Sequence, residues 1–297
     1  MELSWRVKLR IAVTAALGVV LIGILAWPLA APSDPLGPAR AGNLGSGGFM
    51  ALLLLAFSLG LAAYFLCWPH GREIAVLAVP SGLAVWAIRS GSVAAMVQQN
   101  PGYIQRQMLF RGMMWEPVAW LLVVAAGFGG VLLGQKLSGN PERAGVEEES
   151  RSVKNGYIGA VIALLGSVLM VQLGIRVLAQ DVGVFGGGFV AQPDVGQITL
   201  AVLASFGLSS FVIKRFLNLS YIWPIVASAL VTAFAVLTGG NRQALQQFAE
   251  RWPAAFFPNA VLSVLPVQMV AFGSLGAIAG YWLAVRYHHW RQHEGRD

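Results

Sequence analysis

Long apolar runs, bounded by glycine, proline or charged residues, recur along the whole chain. A helix needs roughly 20 apolar residues to cross the hydrocarbon core of a bilayer, which is about 30 Å thick. We predict a membrane-spanning helix in each of eight runs: Ile11–Ala31, Phe49–Trp68, Ile74–Ile88, Pro117–Gln135, Tyr157–Ala179, Ile198–Leu217, Tyr221–Leu237 and Ala260–Tyr287. The pattern therefore predicts an all-α, polytopic integral membrane protein with about eight transmembrane helices.

The basic residues between these runs predict the orientation of the chain. If the N-terminus lies in the cytoplasm, 13 of the 20 Lys and Arg residues lie on the cytoplasmic side and 7 on the other side. Lys and Arg are retained in cytoplasmic loops during insertion. We therefore predict that both termini are cytoplasmic.

The composition agrees with a membrane protein and excludes other classes. Hydrophobic residues make up 57% of the chain and charged residues 11%, and the mean hydropathy is +0.66. Soluble domains carry about 25% charged residues. The net charge of +7 is explained by topology and by attraction to anionic lipid headgroups, so we expect membrane lipids and no nucleic acid as partners.

An internal duplication is visible in the sequence. The fourth and eighth predicted spans share a V-A-x-G-x-x-G-x-x-x-G pattern at an offset of 146 residues. Three further groups of matches occur in the same order at offsets of 147 and 148 residues. The chain is therefore predicted to be two four-helix membrane repeats, residues 1–139 and 153–297, joined by a cytoplasmic polar connector, residues 140–152.

The even number of spans in each repeat fixes how the copies are related. Both copies have the same orientation, so a pseudo-two-fold axis should run along the membrane normal. Arg6, Lys8 and Arg10, followed by an apolar run, also resemble a secretory signal peptide, whose cleavage would leave seven spans. The first span has a counterpart in the fifth, and we therefore expect it to be retained.

Small residues form one face of the fourth and eighth spans. Their glycines are three and four residues apart and fit the G-x-x-x-G packing pattern: Gly127, Gly130 and Gly134, and Gly273, Gly276 and Gly280. We expect these faces to pack against other helices, with contact between the two faces across the pseudo-axis as one arrangement. The alternative is a groove for lipid or substrate.

The long loops on the outer side are amphipathic. Residues 92–115 and 241–257 mix apolar and polar side chains, and Pro101 and Pro253 should interrupt any long helix. We interpret both segments as anchors on the outer bilayer surface. If they instead gate a pathway or bind a partner, the candidate polar contacts are Gln98, Gln99, Gln246 and Gln247.

Residues for catalysis or cofactor binding are missing from the predicted spans. No Asp, Glu, Lys or His lies in a span interior, which disfavours a proton pump. All four histidines lie outside the spans, and Cys67 is the only cysteine. We predict no catalytic residue, no cofactor and no metal site, and hence a protein that is not an enzyme.

The weaker polar marks within the spans are Gln172, Arg176 and Gln268. We expect a transport or permease-type protein for a small or lipidic solute, which binds near these three side chains between the repeats. The alternative is a non-catalytic structural or assembly subunit of a larger membrane complex, in contact with a membrane-protein partner or a second copy of the chain.

Overall fold

The computed structural model describes residues 4–32, 37–139, 153–179, 190–239, 256–257 and 259–294. These residues are helical apart from loops and a two-residue antiparallel pairing of β1 (Val190–Ala191) with β2 (Phe256–Phe257). Seven helical stretches are long and apolar enough to cross a membrane. The prediction of a helical, multi-pass membrane protein is thus confirmed.

The seven stretches follow the predicted spans with shifted ends. They are Trp5–Leu25, Ala41–Leu66, Gly71–Arg89, Tyr103–Leu137, Tyr157–Leu178, Val195–Leu217 and Pro266–Arg291. The predicted seventh span coincides with a shorter apolar helix, Ile222–Thr238. The polar connector and most of the predicted amphipathic segment 241–257 lie outside the described residues.

We call residues 4–139 the N-terminal half and residues 153–294 the C-terminal half. The helices of the N-terminal half are α1 (Trp5–Gly18), α2 (Trp27–Ala30), α3 (Gly45–Leu66), α4 (Gly71–Ile74), α5 (Ala78–Arg89), α6 (Val93–Gln99) and α7 (Tyr103–Leu137). A π-helical segment, Val19–Leu25, follows α1, and 3-10 turns cover Ala41–Leu44 and Ala75–Leu77. The C-terminal half contains α8 (Val153–Leu178), α9 (Val195–Leu217), α10 (Ile222–Gly239), a 3-10 turn (Ala260–Ser263) and α11 (Pro266–Glu294).

Local capping explains several helix boundaries. The side chains of Ser92 and Asp194 accept hydrogen bonds from backbone N–H groups in the first turns of α6 and α9. Such caps satisfy donors that a helix start leaves unpaired. Asn218, with φ of 51°, ends α9 in the left-handed conformation that Asn tolerates, and α10 starts after a short turn.

Helix pairs pack against each other both within each half and between the halves. Within the halves, α3 lies along α7, and α9 lies along α11. Between the halves, α5 packs against α11, α10 packs against α7, and α7 also contacts α11. We call this contact surface between the halves the central seam.

The connections divide the bundle into two ends. At one end the long loops meet, and the Gly91 N–H donates to the Gly37 carbonyl oxygen over 3.1 Å. At the other end, the hydroxyls of Tyr64 and Ser138 lie 2.9 Å apart, close to the start of the polar connector. We call these the long-loop end and the short-loop end.

The segment 92–115 differs from the expected interrupted surface segment. Its second part, from Tyr103 onward, is continuous with the membrane-spanning part of α7, a helix of 35 residues. The break at Pro101 falls between α6 and α7, and Pro117 is accommodated inside α7. The reason is periodicity, because the buried side chains before and after Pro117 lie on one continuous helix face.

Candidate functional site

The central seam is lined mainly by apolar side chains and crossed by one buried amide. Gln268, in the first turn of α11, is 2% exposed. Its Oε1 accepts a hydrogen bond from the Leu265 N–H over 3.0 Å, and its Nε2 donates to the Ala87 carbonyl oxygen of α5 over 3.3 Å. A polar side chain thus ties the start of α11 to the end of α5.

Three tryptophans, one each on α2, α5 and α7, form a series of ring contacts inside the N-terminal half. The ring centroids of Trp27 and Trp86 are 6.2 Å apart, and those of Trp86 and Trp120 are 5.9 Å apart, both in edge-to-face geometry. The guanidinium carbon of Arg89 lies 4.7 Å from the Trp27 ring centroid. We call Trp27, Trp86 and Trp120 the tryptophan cluster.

The two inner indoles differ in their hydrogen bonding. The Trp86 N–H donates to the Ile22 carbonyl oxygen, 2.7 Å away, in the π-helical segment. π-Helical turns disturb the regular pairing of helix carbonyls, and here an indole donor compensates. The Trp120 side chain is fully buried, and its N–H has no hydrogen-bond partner in the part of the chain that the structure describes. The cluster therefore presents one free donor inside the apolar bundle.

Gln192 closes the seam at the long-loop end. Its Oε1 accepts from the backbone N–H of Ala94 in α6 over 3.2 Å. Its Nε2 donates to the Ser263 carbonyl oxygen, also over 3.2 Å. One side chain therefore joins α6 of the N-terminal half to the 3-10 turn of the C-terminal half.

An ion pair holds the first long loop on α7. The Arg40 Nε donates to the Glu116 carboxylate over 2.6 Å, and the side chains are 35% and 9% exposed. The segment before α3 is thereby fixed at the long-loop end.

Gln172 and Arg176 form their hydrogen bonds within the C-terminal half. The Gln172 Nε2 donates to the Val231 carbonyl oxygen of α10 over 3.0 Å, and its buried Oε1 has no partner. The Arg176 Nε donates to the Asn259 Oδ1 over 3.3 Å. Of the three polar residues that the sequence singled out within spans, Gln268 alone has a hydrogen bond that crosses to the other half.

The glutamines of the long loops are placed only in part. Gln98 and Gln99 are exposed at the end of α6, whose buried side chains are Val93, Met96 and Val97. Gln246 and Gln247 lie outside the described residues.

The glycine faces lie at close helix contacts. A Cβ atom on Gly130 would overlap the Phe57 carbonyl oxygen of α3, and one on Gly134 would strike the Tyr64 ring. A Cβ on Gly127 would strike Val79 of α5. In the C-terminal half, Cβ atoms on Gly273, Gly276 and Gly280 would meet residues of α9: the Phe206 ring and the carbonyl oxygens of Leu203 and Gly207, respectively. The partners of the two faces are therefore neighbouring helices of the same half, chiefly α3 and α9.

Further buried polar atoms were not singled out by the sequence patterns. The hydroxyls of Ser205, Ser209, Ser210 and Ser274 are buried without hydrogen-bond partners, as is Nη1 of Arg106. Serine is common at helix contacts in membranes and tryptophan at membrane–water interfaces, so the positions of these residues alone carried no signal. Arg106 was hidden because the sequence placed it in a surface segment.

Within the described ranges, no three His, Cys, Asp or Glu side chains come together in a group that could hold a metal ion. Comparison with known proteins found no matching family model, no similar curated protein and no similar solved structure.

Proposed function

We propose that this chain is a permease-type membrane transport protein, which moves a small or lipidic solute along the central seam. The observation that carries the proposal is the fully buried polar contact between Gln268 and Ala87 across the central seam. Polar groups are costly inside a membrane and usually serve a function there. A contact between the halves is also a bond that relative movement of the halves would break.

The chemistry of the proposed site favours a solute that accepts hydrogen bonds. The Gln268 Nε2 donates to the carbonyl oxygen of Ala87. The preceding residue, Trp86, contacts the Trp120 ring. The Trp120 N–H is a donor without an acceptor. Aromatic rings supply apolar contact area beside this donor, as is typical of small-molecule sites. A solute with a carbonyl, hydroxyl or ether oxygen fits these features.

The proposal includes two four-helix repeats related by a pseudo-two-fold axis along the membrane normal. The helix contacts support it, because the packing of α5 against α11 corresponds to that of α10 against α7. The glycine contacts of α7 with α3 likewise correspond to those of α11 with α9. An axis of this kind would pass through the contact between α7 and α11.

We include α10 as the eighth span, and we place both termini in the cytoplasm. At about 1.5 Å per residue, a 17-residue helix is about 26 Å long, close to the thickness of a bilayer core. With eight crossings, the chain begins and ends on the same side. The excess of Lys and Arg on the side of the termini supports a cytoplasmic assignment.

The test is a search for solutes that stabilise the purified protein, followed by flux measurements in proteoliposomes. A solute that raises the melting temperature should cross proteoliposome membranes only when the protein is present. Gln268→Ala and Trp120→Phe should each lower the flux at least about tenfold, which corresponds to about 1.4 kcal/mol. Gln98→Ala, at an exposed position on α6, is the matched control and should retain the flux.

The runner-up is a non-catalytic subunit of a membrane complex. It is favoured by the row of exposed apolar side chains along α8, which includes Leu165, Leu169 and Leu173. Such a row serves equally as a lipid-facing surface or as a surface for another membrane helix. Gentle extraction followed by mass spectrometry distinguishes the two functions, since a stoichiometric protein partner would contradict a stand-alone transporter.

A further inference from the structure

Arg106 is a buried cation near the beginning of α7, at the long-loop end. Its side chain is 3% exposed. Its Nε donates to the backbone carbonyl oxygen of Asn100 over 2.9 Å, and its Nη1 has no hydrogen-bond partner among the described residues. A guanidinium carries five N–H donors in a planar fork, and the donors on Nη1 are unused here.

No carboxylate neutralises this charge within the part of the chain that the structure describes. Glu116 lies on the same helix but pairs with Arg40. Ten residues separate Glu116 from Arg106, which is about 15 Å along the helix. A buried charge is stable only when it is paired or coordinated. A ligand of negative charge is therefore the group that this environment lacks.

The surroundings of Arg106 are those of a membrane–water boundary. Leu109 and Phe110 are buried beyond it along α7, whereas Ile104, Met108 and Trp115 on the same segment are exposed. Exposed aromatic and apolar side chains are typical of the interfacial zone of a bilayer. Phosphate groups are concentrated in that zone, and the arginine fork matches phosphate oxygens in a bidentate manner.

We propose that Arg106 binds a phosphate oxyanion, supplied by a lipid headgroup or by a soluble phosphate compound. The unpaired Nη1 donates to the oxyanion, while the Nε bond to Asn100 holds the guanidinium in place. The site is independent of the proposed transport function, because it concerns the end of α7 and not the Gln268 contact.

The experiment compares two variants that remove the same charge from the same helix. Arg106→Gln removes the guanidinium that is proposed to bind phosphate, and Arg111→Gln is the matched control at an exposed position five residues further along. In one arm, inorganic phosphate is titrated into protein in a neutral detergent at constant ionic strength, and the melting temperature is followed. In the other, native mass spectrometry measures retention of phosphatidylglycerol against a galactolipid without phosphate.

We expect the wild type and Arg111→Gln to bind one of the two probes at least about tenfold more tightly than Arg106→Gln does. A response to inorganic phosphate assigns the site to soluble phosphate compounds. Selective retention of phosphatidylglycerol alone assigns it to a lipid headgroup. Equal behaviour of all three proteins in both arms overturns the proposal.

A second variant keeps the test decisive if Arg106→Gln does not fold. Arg106→Lys retains the charge but not the planar fork, so it should bind the responding probe more weakly than the wild type. Binding as tight as that of the wild type would refute the role of the guanidinium. This experiment measures binding at Arg106 and not solute flux. A negative result therefore leaves the proposed transport function intact, and a negative flux result leaves the proposed phosphate site intact.

Discussion

At the scale of single residues, hydrogen bonds inside the bundle determine which side chains can be exchanged. Trp86 and Trp120 are both fully buried and touch edge to face. Only Trp86 has an acceptor for its indole N–H. The two residues therefore form a matched pair in which size and burial are similar and hydrogen bonding differs.

Trp86→Phe should destabilise the protein more than Trp120→Phe. The first substitution leaves the Ile22 carbonyl oxygen without its side-chain donor, an additional cost of about 1 to 3 kcal/mol. The second removes a donor that has no partner in the structure. Thermal unfolding in detergent measures both, and equal losses would contradict the assigned hydrogen bond.

The ion pair between Arg40 and Glu116 should show an asymmetry between its partners. Glu116 is more buried than Arg40. Arg40→Gln leaves a buried carboxylate unpaired, whereas Glu116→Gln leaves an arginine that can reach water. We expect a loss of about 2 kcal/mol in the free energy of unfolding for Arg40→Gln, and a smaller loss for Glu116→Gln.

The double variant Arg40→Gln/Glu116→Gln provides the control for this pair. Its loss in the free energy of unfolding should be smaller than the sum of the two single losses, because no unpaired carboxylate remains. Strict additivity in chemical unfolding experiments would show that the pair makes no net contribution.

At the scale of helices, glycine faces set the distances between α3 and α7 and between α9 and α11. Without side chains at these positions, backbones approach within contact distance of neighbouring carbonyl groups. The same spacing of small residues produces the same kind of contact in both halves. A larger side chain at such a contact should push the two helices apart and destabilise their packing.

Gly130→Ala should destabilise the pair of α3 and α7, while Gly129→Ala should be tolerated. A Cβ on Gly130 would overlap the Phe57 carbonyl oxygen, but one on Gly129 would lie 3.7 Å from the Phe57 ring, an ordinary contact. Overpacking of this kind costs about 1 to 3 kcal/mol. Melting temperatures of the two variants check this, and similar values would exclude a tight contact at Gly130.

At the scale of the whole molecule, the proposed topology places the long-loop end on the non-cytoplasmic side of the membrane and the short-loop end in the cytoplasm. The single native cysteine allows a direct test. Cys67 is fully buried, with its sulfur 2.8 Å from the Thr14 hydroxyl oxygen. Burial raises the pKa of the Cys67 thiol, an effect that the Thr14 hydrogen bond and the charge of Arg10 partly oppose. A raised pKa leaves less of the reactive thiolate at neutral pH.

Native protein should therefore react slowly with a membrane-impermeant maleimide on either side of the membrane. In a Cys67→Ala background expressed in the plasma membrane of a host cell, Gln98→Cys on the long-loop end should be labelled in intact cells. Arg72→Cys, at an exposed position within α4 on the short-loop end, should be labelled only after permeabilisation. The opposite pattern would invert the topology, and labelling of both cysteines in intact cells would contradict a single orientation.

The sequence alone determined the class of the protein, because the bilayer imposes a simple requirement on every span. In a bilayer, a helix pairs the backbone N–H and C=O groups of a run of about 20 apolar residues within the run itself. Helical spans were therefore predicted close to their observed positions. The glycine faces were also visible, since three- and four-residue spacings put side chains on one helix face whatever lies opposite.

The tertiary structure decided which groups meet. Glycine spacing does not specify a partner helix, and the faces of α7 and α11 lie mainly against α3 and α9. Gln172 and Gln268 looked alike in sequence, yet only Gln268 bonds across the central seam. The free N–H groups of Trp120 and Arg106 could not be predicted from sequence. Whether a buried donor finds an acceptor depends on residues far away in the chain, and only the packed bundle brings those residues together.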